Sequence, residues 1–238
     1  MNTAEQQVAE KKARILAVAR ELIQETGDFD LPMRALAARA QVSLRTPYEY
    51  FGAKAGVIGA ILVEDLERFR ETVNHYSSVD ELEHIFDRVR WGIDFYALNE
   101  PFYRALFRAT QAYAPDRDLE PARQPLLSFQ KLCGHAGKAG LLRHGVDPGH
   151  IGETLTDIFA SGVRTWAMEH FDLQLASVKI RFGFATVLAG VVADREIERM
   201  RAHIEEYQTG IDAFDPPLKS AAALTLPEQQ FAGARQRG

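Results

Sequence analysis

The chain has 238 residues, a formal net charge of -5, 46% hydrophobic and 26% charged side chains, and a single cysteine, Cys133. That is enough chain for one large domain or two small ones with a substantial core, in the balance of an ordinary globular protein. One cysteine excludes an internal disulfide and a cysteine-based metal cluster. No apolar run is long enough to cross a bilayer or to form a signal-peptide core, so the expectation is a cytoplasmic protein without a membrane partner.

Every strong periodicity is helical, which predicts an all-α fold. A first helix over residues 10–26 places Ile15, Ala19, Leu22 and Ile23 on one face, with Gly27 at its C-cap. A second covers residues 33–40, with Leu36, Ala37 and Ala40 inward. After a break at Gln41-Val42-Ser43, a third begins with Ser43 as N-cap and ends at Phe51-Gly52. Val42, Tyr48 and Phe51 would close a small three-helix core with the first helix.

Longer helices follow over residues 54–76, 79–99, 101–113, 120–139, 147–170 and 173–207. Asp147-Pro148 is a strong helix start, a capping carboxylate followed by proline in the first turn. Beyond Asp215-Pro216-Pro217 the chain is rich in Ala, Gln and Gly, and a flexible tail is expected there. The organisation predicted is an N-terminal helix-turn-helix domain over 1–53, a helical body over 54–212, and a tail over 213–238.

The short helix, tight break and second short helix at residues 34–54 carry the functional signal. DNA readers of the helix-turn-helix type lay the second such helix in the major groove. Residues 1–54 hold eight Lys/Arg against seven Asp/Glu, so the acidic surplus lies in the remainder. That asymmetry has the sign a DNA-binding N-terminus requires. Arg45 is the candidate base reader, because its fork fits the acceptor pair of guanine. Thr46 and Tyr48 can donate hydroxyls to phosphates. Lys54 opens the fourth helix, where backbone N–H groups and the dipole add to its charge. Ser43 and Arg34 stand at helix N-termini, within reach of phosphates. Tyr50 stays open between DNA face and core.

From about residue 11 to residue 61 the chain resembles the N-terminal domain of the tetracycline-repressor (TetR) family. The resemblance rests on ILAVARELIQETG, then RALAARAQVS, then Thr46, Tyr48, Tyr50, Phe51, Gly52 and Lys54 in their spacing. It implies a DNA-binding transcriptional regulator, usually a repressor, whose matching Thr, Tyr and Lys clamp the DNA backbone. Two positions depart from the pattern: Gln41 where the family usually has Gly, and Pro47 where it has Leu or Ile. A left-handed Gln41 costs more than a glycine there, and Pro47 restricts Thr46.

The span 173–207 is apolar almost all round, so it needs cover on nearly all sides. With residues 147–170 it is expected to form a four-helix interface between two copies, an arrangement the resemblance also implies. The interface residues expected are Phe159, Gly162, Trp166, Phe182, Gly183, Ala189 and Gly190. A monomer whose other helices cover both faces is the competing arrangement.

The resemblance further implies a small-molecule cavity among helices four to eight. Trp91, Phe95, Phe102, Tyr103 and Phe107 are candidates to line it, with Phe159 and Trp166 from the later helix and Gln111 as a polar group. No phosphate loop, dinucleotide fingerprint, His-Glu-x-x-His or serine elbow occurs, so no enzyme, cofactor or metal is expected. A helical enzyme and a protein-binding adaptor remain the alternatives to a dimeric regulator. That regulator would bind a palindromic operator on double-stranded DNA and be released by an effector of unknown identity.

Overall fold

The computed structural model describes residues 3–26, 31–73, 78–113, 129–169 and 171–214. The helices are α1 (Thr3–Thr26), α2 (Met33–Arg39), α3 (Arg45–Phe51), α4 (Lys54–Val73), α5 (Glu81–Ala97) and α6 (Glu100–Tyr113). They continue with α7 (Phe129–Lys138), α8 (Pro148–Met168), α9 (Leu173–Ala189), a 3-10 turn (Asp194–Glu196) and α10 (Ile197–Phe214). The fold is all-α, with an N-terminal helix-turn-helix followed by a C-terminal set of helices. The expected Gly27 cap, residues 74–76, residues 120–128 and all but the first two residues of the tail lie outside the described residues.

Three helices of the body start on an aspartate whose carboxylate accepts otherwise orphaned N–H groups. Asp80 accepts from Leu82 and Glu83 at 2.8 and 3.0 Å, Asp147 from Gly149 at 2.7 Å, and Asp172 from Gln174 and Leu175 at 2.6 and 3.2 Å. Each such cap is worth about 1 kcal/mol. The carbonyls at the far end of α8 are satisfied from α6. Arg104 donates to the carbonyls of Trp166, Glu169 and Phe171, and Arg108 to that of Ala167. The two arginines therefore close a helix end.

The single helix expected over 173–207 is two. α9 stops at Ala189, and α10 starts at Ile197 after the 3-10 turn. Between them the chain turns extended and pairs with residues 141–143. The Arg143 N–H donates to the Val191 carbonyl, the Ala193 N–H donates to the Leu141 carbonyl, both at 2.9 Å, and Val192 is fully buried. Gly190 weakens the helix at that point, and two β-branched valines favour the extended pairing. α10 then folds back along α9, with Gly210 against Val178 and Arg181 over the Tyr207 ring. One of the two apolar faces of α9 is thereby covered within the chain.

One continuous core joins all the helix groups, from Ile15 on α1 through Phe159 and Trp166 on α8 to Tyr207 on α10. α8 and α9 lie in close contact at Gly162, where a Cβ would sit 2.4 Å from Ile180 Cγ1. The glycine is thus fixed by the packing of α8 on α9.

Candidate nucleic-acid interface

α2 ends at a turn made by Gln41, whose φ is +54°, the one positive φ on a non-glycine among the described residues. The Gln41 and Val42 N–H groups bond back to the carbonyls of Ala38 and Ala37 at 3.1 and 3.0 Å. The turn therefore takes the left-handed form without the glycine that relieves it, at about 1 kcal/mol.

α3 begins one residue later than expected. Leu44, not Ser43, is its N-cap, and it is already helical (φ -56°, ψ -27°). The Ser43 hydroxyl lies 2.9 Å from the Thr46 hydroxyl instead of capping a backbone N–H. The reason is local: the Thr46 N–H, which a Ser43 cap would satisfy, bonds instead to the Ser43 carbonyl at 3.0 Å. Pro47 follows in the first turn of α3, where its missing N–H costs no helical bond. Its ring is buried, so the proline belongs to the packed side of α3.

The opposite side of α3 is open. The Arg45 side chain is 84% exposed and its Nε lies 2.6 Å from Glu49 Oε1, one turn on. A pair this exposed contributes only about 0.3–0.5 kcal/mol, so the guanidinium can leave it for a base edge at little cost. Tyr48 is exposed, and Thr46 is half-buried beside Ser43. Tyr50 is half-buried and packs edge-on to Phe51, with the Lys12 Nζ 5.7 Å from its ring centroid. Lys54 is half-buried at the first position of α4, and Arg34 is exposed in the first turn of α2. α4 starts hard against α3, because a Cβ on Gly56 would fall 1.8 Å from the Phe51 carbonyl oxygen. That glycine, which the sequence reading passed over, holds Lys54 next to the end of α3.

The first three helices are tied to the body through Arg20 of α1. Its guanidinium donates to Asp65 Oδ2 at 2.9 Å, to Glu64 Oε2 at 3.0 Å and to the Ile61 carbonyl at 3.3 Å, and lies 5.8 Å from the Phe102 ring of α6. Burial works against the Arg20 charge, but the bonds to Asp65 and Glu64 outweigh it and hold its pKa above the ordinary value. Tyr103 stands beside Asp65, and burial first and that carboxylate second push its phenol up. Pattern reading had no signal for this cluster.

The aromatic residues expected around a ligand divide into groups. Phe95, Tyr103, Phe107 and Trp166 surround the buried Tyr96, with ring centroids 5.2–6.4 Å from it. Trp91 lies apart, 5.6 Å from His84; Phe102 sits beside Arg20; and Phe159 packs on Phe129 at 6.0 Å. The Gln111 side chain lies outside the described residues. Trp166 Nε1 is buried without a hydrogen-bond partner among the described residues.

Of the residues expected at a dimer interface, Phe159 and Trp166 are buried inside the chain itself, Gly162 meets Ile180, and Gly183 faces Ile158. Phe182 and Ala189 are partly exposed, and Gly190 is exposed. Phe182, Thr186, Ala189 and Gly190 share one side of α9 by helical spacing. Among the described residues no helix is long and apolar enough to cross a membrane, and no cluster of three His, Cys, Asp or Glu is placed to hold a metal. Cys133 is buried, with its thiol pushed up to about 12 by burial.

A helix-turn-helix with an open second helix, carried on a larger helical body, defines the class of this molecule. Residues 15–61 match the sequence model described as "Bacterial regulatory proteins, tetR family". The HTH-type transcriptional regulator UidR of Escherichia coli K12 is 32% identical over 84 residues, 34% of this chain and 43% of UidR. This chain thus aligns with less than half the length of that relative. A tetR-family regulator from Pectobacterium atrosepticum shares the fold at TM-score 0.63 and 22% identity, over 82% of this chain and 99% of that one. A tetR regulator from Haloarcula marismortui does so at TM-score 0.57 and 19% identity, over 78% and 100%. Over residues 15–61 the chain is similar to the tetR family of bacterial regulatory proteins, and as a whole it shares the fold of the two tetR regulators.

Proposed function

We propose that the protein is a sequence-specific DNA-binding transcriptional regulator, acting in the cytoplasm as a dimeric repressor that a small-molecule effector releases from its operator. Residues 1–53 are the reading head, and residues 54–212 the ligand-binding and dimerisation body. The reading rests above all on α3: within the stretch that matches the family, it presents Arg45 and Tyr48 to solvent and turns Pro47 inward. A helix so placed can enter a major groove with a donor fork and a hydroxyl leading.

Thr46, Tyr48 and Lys54 hold phosphates along the groove edge, and Ser43 and Arg34 lie within reach of the same strands. Two heads on one two-fold body read two half-sites, and the outer side of α9 is the surface that reading assigns to the second copy. In the body, the Trp166 Nε1, buried without a partner among the described residues and beside Tyr96 and Phe107, supports a ligand carrying an acceptor and an apolar or flat frame. An effector that binds best to a body holding the heads at the wrong spacing shifts the population away from DNA.

Selection of binders from random duplex DNA tests the reading. A recovered palindrome supports head, symmetry and site together. Failure to enrich any sequence at moderate salt removes it in favour of a helical enzyme or adaptor. A chain that scatters light as a monomer at micromolar concentration removes the dimer.

A further inference from the structure

α1 is longer than the core it serves. Its first buried residue is Ile15, where the match to the family begins, and residues 5–14 are exposed without exception. The stretch from Glu5 to Arg14 therefore projects about 15 Å beyond the core at 1.5 Å per residue. Packing does not hold it helical; it propagates from turns that are packed.

Its basic residues are gathered at the end nearest α3. Lys12 lies with its Nζ 5.7 Å from the Tyr50 ring on α3, and Lys11 is its neighbour. Among the described residues Lys12 has no ion pair, whereas Arg39 and Arg45 are paired to Glu25 and Glu49. Glu10 and Arg14 lie on the far side of α1 from Lys12, since two residues are 200° of helix, whereas Lys11 is 100° round from Lys12 and shares its side with Arg14. A helix with its side chains is 10–12 Å across and fills a major groove about 12 Å wide. A group standing at the flank of α3 is therefore held over a bordering strand, where the phosphates run.

We propose that the projecting start of α1 is a second DNA-contacting element, in which Lys12 neutralises a backbone phosphate beside the groove that α3 enters. The proposal rests on the DNA-binding reading above. The contact adds affinity and salt dependence without sequence preference.

The test uses the full chain and a duplex recovered by the selection, comparing wild type with the single variants K12Q and R14Q. These positions are exposed, and far-UV circular dichroism checks that each variant keeps its helices. The expected result is that K12Q lowers the slope of log K against log salt by about one unit per bound subunit, at 0.9 per phosphate contact. It should also weaken low-salt binding at least fivefold, while R14Q stays within about twofold of wild type with its slope unchanged. A slope for K12Q equal to that of wild type, or matched by R14Q, overturns the proposal while leaving a DNA-binding head in place. A wild-type chain that binds no duplex in a salt-dependent way overturns both.

Discussion

Arg20 on α1 grips Asp65 on α4, 45 positions further along the chain, with Nη1 2.9 Å from Oδ2, and Asp65 is only 2% exposed. Arg68 adds a second cation to the same carboxylate at 2.9 Å. Removing the aspartate leaves Arg20 facing a carbonyl and Glu64 alone, with a desolvated charge short of a partner. Asp65→Ala should cost about 2–3 kcal/mol, at or just below the roughly 3–5 kcal/mol for breaking a fully buried pair, because Arg20 keeps some exposure. Urea unfolding measures it, and a loss under 1 kcal/mol would show that the cluster does not tie α1 to α4.

Gln41 makes a stability prediction of a different kind. At φ +54° a β-branched side chain is worse than glutamine, and glycine is free of strain. Gln41→Val should lower stability by about 1–2 kcal/mol, and Gln41→Gly should leave it unchanged or raise it by about 0.5 kcal/mol, since relief of strain offsets the added unfolded-state entropy. If both variants unfolded at the wild-type urea midpoint, the turn would not be left-handed in solution.

His84 gives the protein a pH dependence. Burial first, and the Arg88 charge second, lower its pKa below the ordinary 6.5, with its ring 5.6 Å from Trp91. Below pH 6.5 the unfolded chain takes up a proton that the folded site resists. The stability this group contributes is complete above 6.5 and falls as pH drops toward the folded pKa. Thermal midpoints taken from pH 7 to pH 5 should therefore fall more steeply for wild type than for His84→Gln. Parallel curves would show that His84 titrates freely.

What the sequence disclosed and what it hid follow from how local each cause is. The caps Asp147-Pro148, the turn at Gln41 and the apolar face of α1 are set within a few residues, and each was legible. The division of α9 from α10 was not, because it is made by Val191 and Ala193 pairing with residues nearly 50 positions earlier. Arg20 and Asp65 were silent for the same reason. Periodicity placed Phe159 and Trp166 on an apolar face, but it is blind to whether the chain or a second copy covers that face. Ser43 misled through a nearer effect, since its hydroxyl and its carbonyl are both engaged by Thr46.

Arg45 and Lys54 should fail differently when removed, because one faces a groove and the other a backbone. Arg45 is 84% exposed on α3, paired with Glu49 one turn on. Its loss removes a fork that distinguishes guanine, so Arg45→Ala should relax preference at one base position by about 1–3 kcal/mol and leave binding to random duplex near wild type. Lys54 starts α4 where Gly56 lets that helix abut the end of α3, so its ammonium adds to a helix N-terminus. Its loss should weaken binding to every duplex and reduce the salt slope by about one unit. Titrations of both variants against a selected site and a random duplex, at two salt concentrations, separate the roles. Equal losses on both duplexes for both variants would mean that Arg45 reads no base, and that the contact on this face is electrostatic throughout.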